Sequence, residues 1–136
     1  MSRAMHVPPD DPEQLGKLFA ERANRGDLEG MLALYEDAAT FVGPDGASAS
    51  GKEDIRVRLD WLLAMAPHIT NTDGELVLAG DIALMSNRWT MRLGALDGEA
   101  ASVDGQSTEV ARRQPGGGWL YVIDRPSVLA TNEAAR

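Results

Sequence analysis

Glu109, Asp124 and His68 are the side chains of this sequence whose types and positions best suit acid–base chemistry. Glu109 lies in the stretch SVDGQSTEVARRQ, where strand alternation places Glu109 on one face and Val110 on the other. A carboxylate that faces a pocket is desolvated, its pKa rises, and it can act as an acid or a base. The alternative is an exposed strand glutamate that pairs with a neighbouring arginine.

The other two side chains also have two interpretations each. Asp124 ends the last predicted strand in YVIDRP, where it is either a pocket acid or a strand-end residue that hydrogen-bonds a loop. His68 follows Pro67 and is either a proton shuttle at a pocket mouth or a solvent-exposed loop residue. A site of two histidines and a carboxylate would also need His6, which lies in the N-terminal arm. We therefore expect no metal, and the lack of phosphate-loop and dinucleotide motifs predicts no cofactor.

Large apolar side chains could form the wall of a pocket around these groups. Trp89 shares a strand face with Met85 and Met91, which suits a pocket wall, a plain core or a dimer face equally. Tyr35 could orient a ligand through its hydroxyl or be a packed aromatic. The predicted pocket residues are Phe19, Tyr35, Trp61, Met65 and Trp89.

Composition limits the partners of the chain. The 136 residues fit one domain, and the net charge is −8, from 13 basic and 21 acidic residues. The basic residues are scattered, so nucleic acid and anionic membranes are not expected partners. No apolar run is long enough to span a bilayer, and the N-terminus has no apolar signal-peptide segment, which predicts a cytoplasmic protein. The chain has no cysteine for disulfides or thiolate chemistry.

Hydrophobic periodicity predicts helices first and strands afterwards, which favours an α+β fold. The first helix is expected to be capped by Asp10 or Asp11 and the second by Asp27. The third carries a second apolar line at Val57, Trp61 and Met65, which predicts burial between two partners. The predicted helices are 12–25, 27–35 and 52–65, and the predicted strands are 40–42, 47–50 (weak), 69–79, 82–93, 101–114 and 119–125. Short connections join the last four strands into an antiparallel meander.

The stretch Gly26–Gly51 combines a Gly-Asp helix start, the run LYEDAATFV and the turn PDG in a fixed order. With GKEDI after it and the closing motif GGWLYVIDRP, it resembles the nuclear transport factor two-like superfamily. Within that superfamily the chain is most similar to SnoaL-like and ketosteroid-isomerase-like bacterial proteins. The resemblance implies one cone-shaped domain over 12–128, with a flexible arm at 1–11 and a flexible tail at 129–136.

The same resemblance implies a curved antiparallel sheet, a pocket between this sheet and three N-terminal helices, and a homodimer formed through the outer sheet face. The resemblance also implies that the Glu109 side chain faces the pocket. Ketosteroid isomerases use a base with a tyrosine and a protonated acid that stabilise the oxyanion. The base aligns with Gly43, the tyrosine with Phe19 and the protonated acid with Glu109. Gly43 has no carboxylate and Phe19 has no hydroxyl, so two of the three required groups are missing.

Three functions remain open from the sequence. The first is a cofactor-free isomerase, cyclase or dehydratase that acts on a small apolar organic molecule, with Glu109 and Asp124 as acid and base and His68 as a further candidate. The second is a non-catalytic ligand-binding protein or pseudoenzyme, which the residues at Gly43 and Phe19 favour. A pure association module would instead fill the cone with side chains.

Overall fold

The computed structural model describes residues 6–94 and 101–129, and expectations for residues 1–5, 95–100 and 130–136 lie outside the described residues. Within this part there are three helices and six strands. In chain order they are α1 (Gln14–Asn24), α2 (Leu28–Leu32), β1 (Tyr35–Val42), β2 (Ser48–Ser50), α3 (Lys52–Ala64), β3 (His68–Ala79), β4 (Ile82–Leu93), β5 (Ala101–Arg113) and β6 (Trp119–Val128).

The six strands form one curved sheet in the order β2-β1-β6-β5-β4-β3. The predicted meander is confirmed, since β3, β4, β5 and β6 pair antiparallel in succession. The sheet is nevertheless mixed, because β1 runs parallel to β6. The helices precede most of the strands, and the predicted α+β class is confirmed.

Of the predicted side-chain caps, only the one at Asp27 is confirmed. The Asp27 side chain accepts a hydrogen bond from the backbone N–H of Gly30 at 2.9 Å. The prediction of a cap at Asp10 or Asp11 is wrong, because α1 begins after Glu13 without a side-chain cap. Asp11 contributes its backbone carbonyl instead, which accepts the N–H of Gln14 in a turn.

Tyr35 belongs to β1, so the predicted end of the second helix is wrong by three residues. The helix ends at Leu32 because the following backbone pairs with β6. The N–H of Tyr121 donates to the carbonyl of Leu34 at 2.8 Å, and Tyr35 lies opposite Tyr121. This pairing buries the Tyr35 side chain completely, at 0% exposure.

The core lies between the inner sheet face and the helices. Ile55 and Leu59 of α3 are completely buried in this core. Its second apolar line is exposed in the single chain, at 49% for Val57 and 64% for Trp61, so the predicted burial between two partners is not observed. α3 therefore presents an apolar edge to solvent above the inner sheet face.

We predict that Asp27→Ala lowers the free energy of unfolding by about 1 kcal/mol, because the N–H of Gly30 loses its acceptor. The melting temperature, measured by circular dichroism, should fall by roughly 4 °C. Asp10→Ala is the matched control, since this exposed residue provides no cap, and it should change little. Equal losses in the two variants would contradict this role of Asp27.

Candidate functional site

A cavity of about 260 Å³ opens between the inner sheet face and helices α1 and α3. Its walls are largely apolar. The apolar lining residues are Phe19, Phe41, Pro44, Trp61, Leu62, Met65, Ile69, Trp89, Met91 and Pro126. A few polar groups interrupt this lining, namely Arg58, Asn71, Ser107, Glu109, Tyr121 and Asp124. An apolar recess with few convergent polar groups is typical of small-molecule sites.

Glu109 and Asp124 face each other across β5 and β6 in this cavity. Each is only 5% exposed. Carboxylates that lie directly opposite on one face of an antiparallel pair repel each other. One proton shared between the two groups relieves this repulsion, as two adjacent buried carboxylates cannot both ionise readily.

A bulge in β6 brings Asp124 to the inner face. The partner of Ala111 is Tyr121, but the partner of Val110 is Ile123, so Val122 is an extra residue in β6. Tyr121 and Asp124 are three residues apart, and strict alternation would point them to opposite faces. Because of the extra residue both line the cavity.

Hydrogen bonds hold both carboxyl groups in place. The Tyr35 hydroxyl donates to Oδ2 of Asp124 at 2.5 Å. Oε1 of Glu109 accepts from the Asn87 side-chain amide, and Oε2 accepts from the Ser107 hydroxyl, both at 2.7 Å. Three neutral donors thus orient the two acids.

Burial, and after it the nearby charge of Asp124, raise the pKa of Glu109 to about 8, against the hydrogen bonds from Ser107 and Asn87. Burial also raises the pKa of Asp124 to about 6, against the hydrogen bond from Tyr35. The pair therefore carries one proton near pH 7, mainly on Glu109. Such a pair combines an acid and a base at one place.

Two tyrosines stand beside the acids. The rings of Tyr35 and Tyr121 are 5.2 Å apart between centroids. Burial and the neighbouring carboxylates raise the pKa of both phenols well above the usual range, so both hydroxyls stay protonated. Tyr121 lines the cavity and offers a further donor there, whereas Tyr35 acts from behind Asp124.

The other predicted site residues divide into two groups. Phe19, Trp61, Met65 and Trp89 line the cavity, whereas Tyr35, which was also predicted to line it, does not. His68 is exposed at the start of β3 opposite Arg92, and it is outside the cavity lining. Its neighbour Ile69 lines the cavity, so alternation directs His68 to the opposite sheet face.

Sequence reasoning missed Asn87, Ser107, Tyr121 and Arg58. Ser107 had a signal, since it lies two residues before Glu109 and hence on the same strand face. Asn87 lies opposite Ser107 on β4, and this register was not readable from the sequence.

Among the residues described, no group of three or more acidic, histidine or cysteine side chains could hold a metal ion. No helix of this part is long and apolar enough to cross a membrane.

The raised pKa of Glu109 predicts a pH-dependent stability. Between the ordinary pKa of 4.5 and the folded value of about 8, the folded state binds more protons than the unfolded state. The stability that this group contributes is complete below 4.5 and is lost as pH rises through about 8. Glu109→Gln removes this titration, so its melting temperature should fall less than that of the wild type between about pH 5 and pH 8.5.

The exposed residue Glu75 on β3 provides the control, since Glu75→Gln should follow the wild-type pH curve. Melting curves of all three proteins across this range test the prediction. If the curves of the wild type and Glu109→Gln run parallel, Glu109 does not hold its proton in the folded state.

Three solved structures illustrate how widely this fold is shared. A suggested dehydratase of the NTF2-like family from Streptomyces avermitilis has 21% identity and a TM-score of 0.76, over 88% of this chain and 94% of that chain. An NTF2-like protein with a cystatin-like fold from Novosphingobium aromaticivorans has 22% identity and a TM-score of 0.74, over 90% and 82%. A suggested calcium/calmodulin-dependent protein kinase II association domain from Xanthomonas campestris has 17% identity and a TM-score of 0.77, over 93% and 98%.

At these identities the likeness concerns the fold. Comparison with curated proteins gave no significant match. A SnoaL-like domain matches residues 16–118, which include most of α1, Glu109 and all the described strands except β6. This chain belongs to the SnoaL-like domain family.

Proposed function

We propose that this protein is a cofactor-free enzyme that catalyses an acid–base reaction, of the isomerase, cyclase or dehydratase kind, on a small and largely apolar organic molecule. The observation that carries this proposal is the pair of buried carboxyl groups, Glu109 and Asp124, in an apolar cavity. Two acids whose environments separate their pKa values can serve as acid and base at one pH.

The chemistry follows from the protonation of the pair. Near neutral pH the Asp124 carboxylate accepts a proton from a carbon next to a carbonyl group of the substrate. The protonated Glu109 donates its proton to the carbonyl oxygen, and an enol forms. Asp124 then delivers its proton to the γ-carbon of a conjugated dienol, which completes an isomerisation, or to a β-hydroxyl group that leaves as water, which completes a dehydration. In both cases the enol hydroxyl returns its proton to Glu109 as the carbonyl group re-forms. The Tyr121 hydroxyl, which also lines the cavity, supports the oxygen as a hydrogen-bond donor.

This arrangement differs from that of the ketosteroid isomerases. The residues that align with their tyrosine and base are Phe19 and Gly43, which supply neither a hydroxyl nor a carboxylate. In our proposal the base comes from β6 instead. The description of the Streptomyces avermitilis neighbour as a suggested dehydratase supports this class of reaction without identifying a substrate.

A non-catalytic ligand-binding protein is the second candidate function. Gly43 and Phe19 favour it, because a protein that has lost the base and the tyrosine can retain the cavity. The two candidates differ in the effect of Glu109→Gln. This variant abolishes turnover in an enzyme, whereas in a binding protein it changes only affinity.

Proton exchange tests the catalytic proposal without knowledge of the substrate. We predict that the wild type accelerates exchange of the α-protons of a small cyclic ketone such as β-tetralone in deuterated water, as measured by NMR. Glu109→Gln and Asp124→Asn should each reduce this rate by about a hundredfold or more, because each removes one proton-transfer group. The rate should be highest near pH 7, between the pKa values of about 6 and about 8.

Glu75→Gln and Asp104→Asn are the matched controls, since both remove exposed carboxylates of the sheet. They should exchange protons at the wild-type rate. A wild type that binds cyclic ketones but exchanges their protons no faster than buffer would reject catalysis in favour of the binding protein.

We also propose that a second copy of this chain covers the outer sheet face. Val77, Leu84, Val110 and Ile123 are successive partners across four neighbouring strands and form one apolar row on this face. Val77, Leu84 and Ile123 are 60%, 48% and 40% exposed in the single chain. Exposed apolar rows of this kind are typical of association surfaces. The description of the Xanthomonas campestris neighbour as a suggested association domain agrees with self-association.

Leu84→Asp should convert the dimer to a monomer, because the row would bury a charge. Sedimentation velocity measures the state, and circular dichroism checks the fold. Val57→Asp is the control, since Val57 is similarly exposed but lies on α3. A monomeric wild type, or dissociation by both substitutions, would contradict this interface.

A further inference from the structure

Arg58 is the one cation among the described residues that line the cavity. It extends from α3, and its side chain is only 19% exposed. A cation beside apolar walls is costly to bury unless an anion or hydrogen bonds compensate it. Its existing contacts therefore decide what it can still bind.

The known contacts of Arg58 use one end of the guanidinium. Nη2 donates to the carbonyl of Ala47 at 3.0 Å and lies 4.0 Å from Oδ1 of Asp45. Nη1 lies over Gly43, where an added Cβ would come within 2.9 Å of it. The missing side chain of Gly43 thus leaves the space that the guanidinium occupies. Gly43 therefore has two effects: it supplies no carboxylate where the base is expected, and it leaves room for the Arg58 guanidinium at the cavity wall.

The strand pairing shows where Gly43, beside this cation, lies along the chain relative to the partner of Asp124. Phe41 on β1 is the partner of Asp124. Gly43 lies two residues further along the chain, or about 7 Å from Phe41 at the usual rise per residue. The cavity thus has a cationic position and an acidic position separated by apolar wall.

We propose that the ligand of this cavity carries a carboxylate that Arg58 binds, while its apolar body reaches Glu109 and Asp124. This inference rests on the proposed function and names the class of its substrate. The planar guanidinium suits a carboxylate, with which it forms short, charge-assisted hydrogen bonds. The ionised Asp124 repels the same carboxylate, so only one orientation of the ligand is favourable.

The test compares β-naphthoate with β-naphthamide, which share a ring system and differ in charge. Calorimetry near neutral pH should show that the wild type binds the carboxylate about tenfold or more tightly than the amide. Arg58→Gln should remove this preference and leave amide binding unchanged. Gly43→Ala should do the same, because its Cβ displaces the flexible end of Arg58 while the backbone keeps an ordinary conformation.

Arg56→Gln is the matched control. Arg56 lies on the same helix but pairs with Glu29, outside the cavity lining, so this variant should keep the wild-type preference. The melting temperatures of all variants show whether a loss of binding comes from unfolding. Gly43→Ala keeps the test valid if Arg58→Gln does not fold.

The outcomes separate this inference from the proposed function. Equal binding of both probes by the wild type, or a preference that survives both Arg58→Gln and Gly43→Ala, overturns the carboxylate inference and leaves the acid–base proposal standing. A carboxylate preference in a wild type that exchanges no ketone protons supports the inference and rejects catalysis. Binding of neither probe at millimolar concentration overturns the inference.

Discussion

The burial of two carboxyl groups side by side is the constraint on which the rest of the site depends. In water these groups would both ionise, whereas inside the sheet the cost of desolvation and their mutual repulsion retain one proton. Tyr35, Asn87 and Ser107 come from three different strands and supply the compensating hydrogen bonds. The core thus gives up some stability above neutral pH in order to keep an acid and a base together.

The apolar walls strengthen this effect, because they exclude water from the acids and preserve a low local polarity. Trp89 illustrates how closely the walls fit the sheet. Its indole lies across Gly105, its partner on β5, where a Cβ would collide with the ring. Because Gly105 has no side chain, β5 leaves room for the Trp89 indole, which β4 contributes to the cavity wall.

Much of the fold was predictable from the sequence, and less of the site was. The bounds of β3 to β6 follow from local alternation and turns such as Gly80-Asp81, so they were predicted within about three residues. The helix end before Tyr35 was missed because pairing with a distant strand overrides local helix signals. Glu109 and Asp124 were chosen by residue type and position, but the register that adds Asn87 was not readable locally. Arg58 was missed since nothing in the helix pattern shows that Gly43 makes room for it.

The extra residue in β6 has a consequence for divergence within the family. Because Val122 sets the side of the sheet to which Asp124 points, removal of one residue there would move the carboxylate from the cavity to the outer face. Two homologues with every acidic residue in common could then differ in whether the two carboxyl groups meet in the cavity. The length of a strand can therefore specify chemistry as strictly as the identity of its side chains.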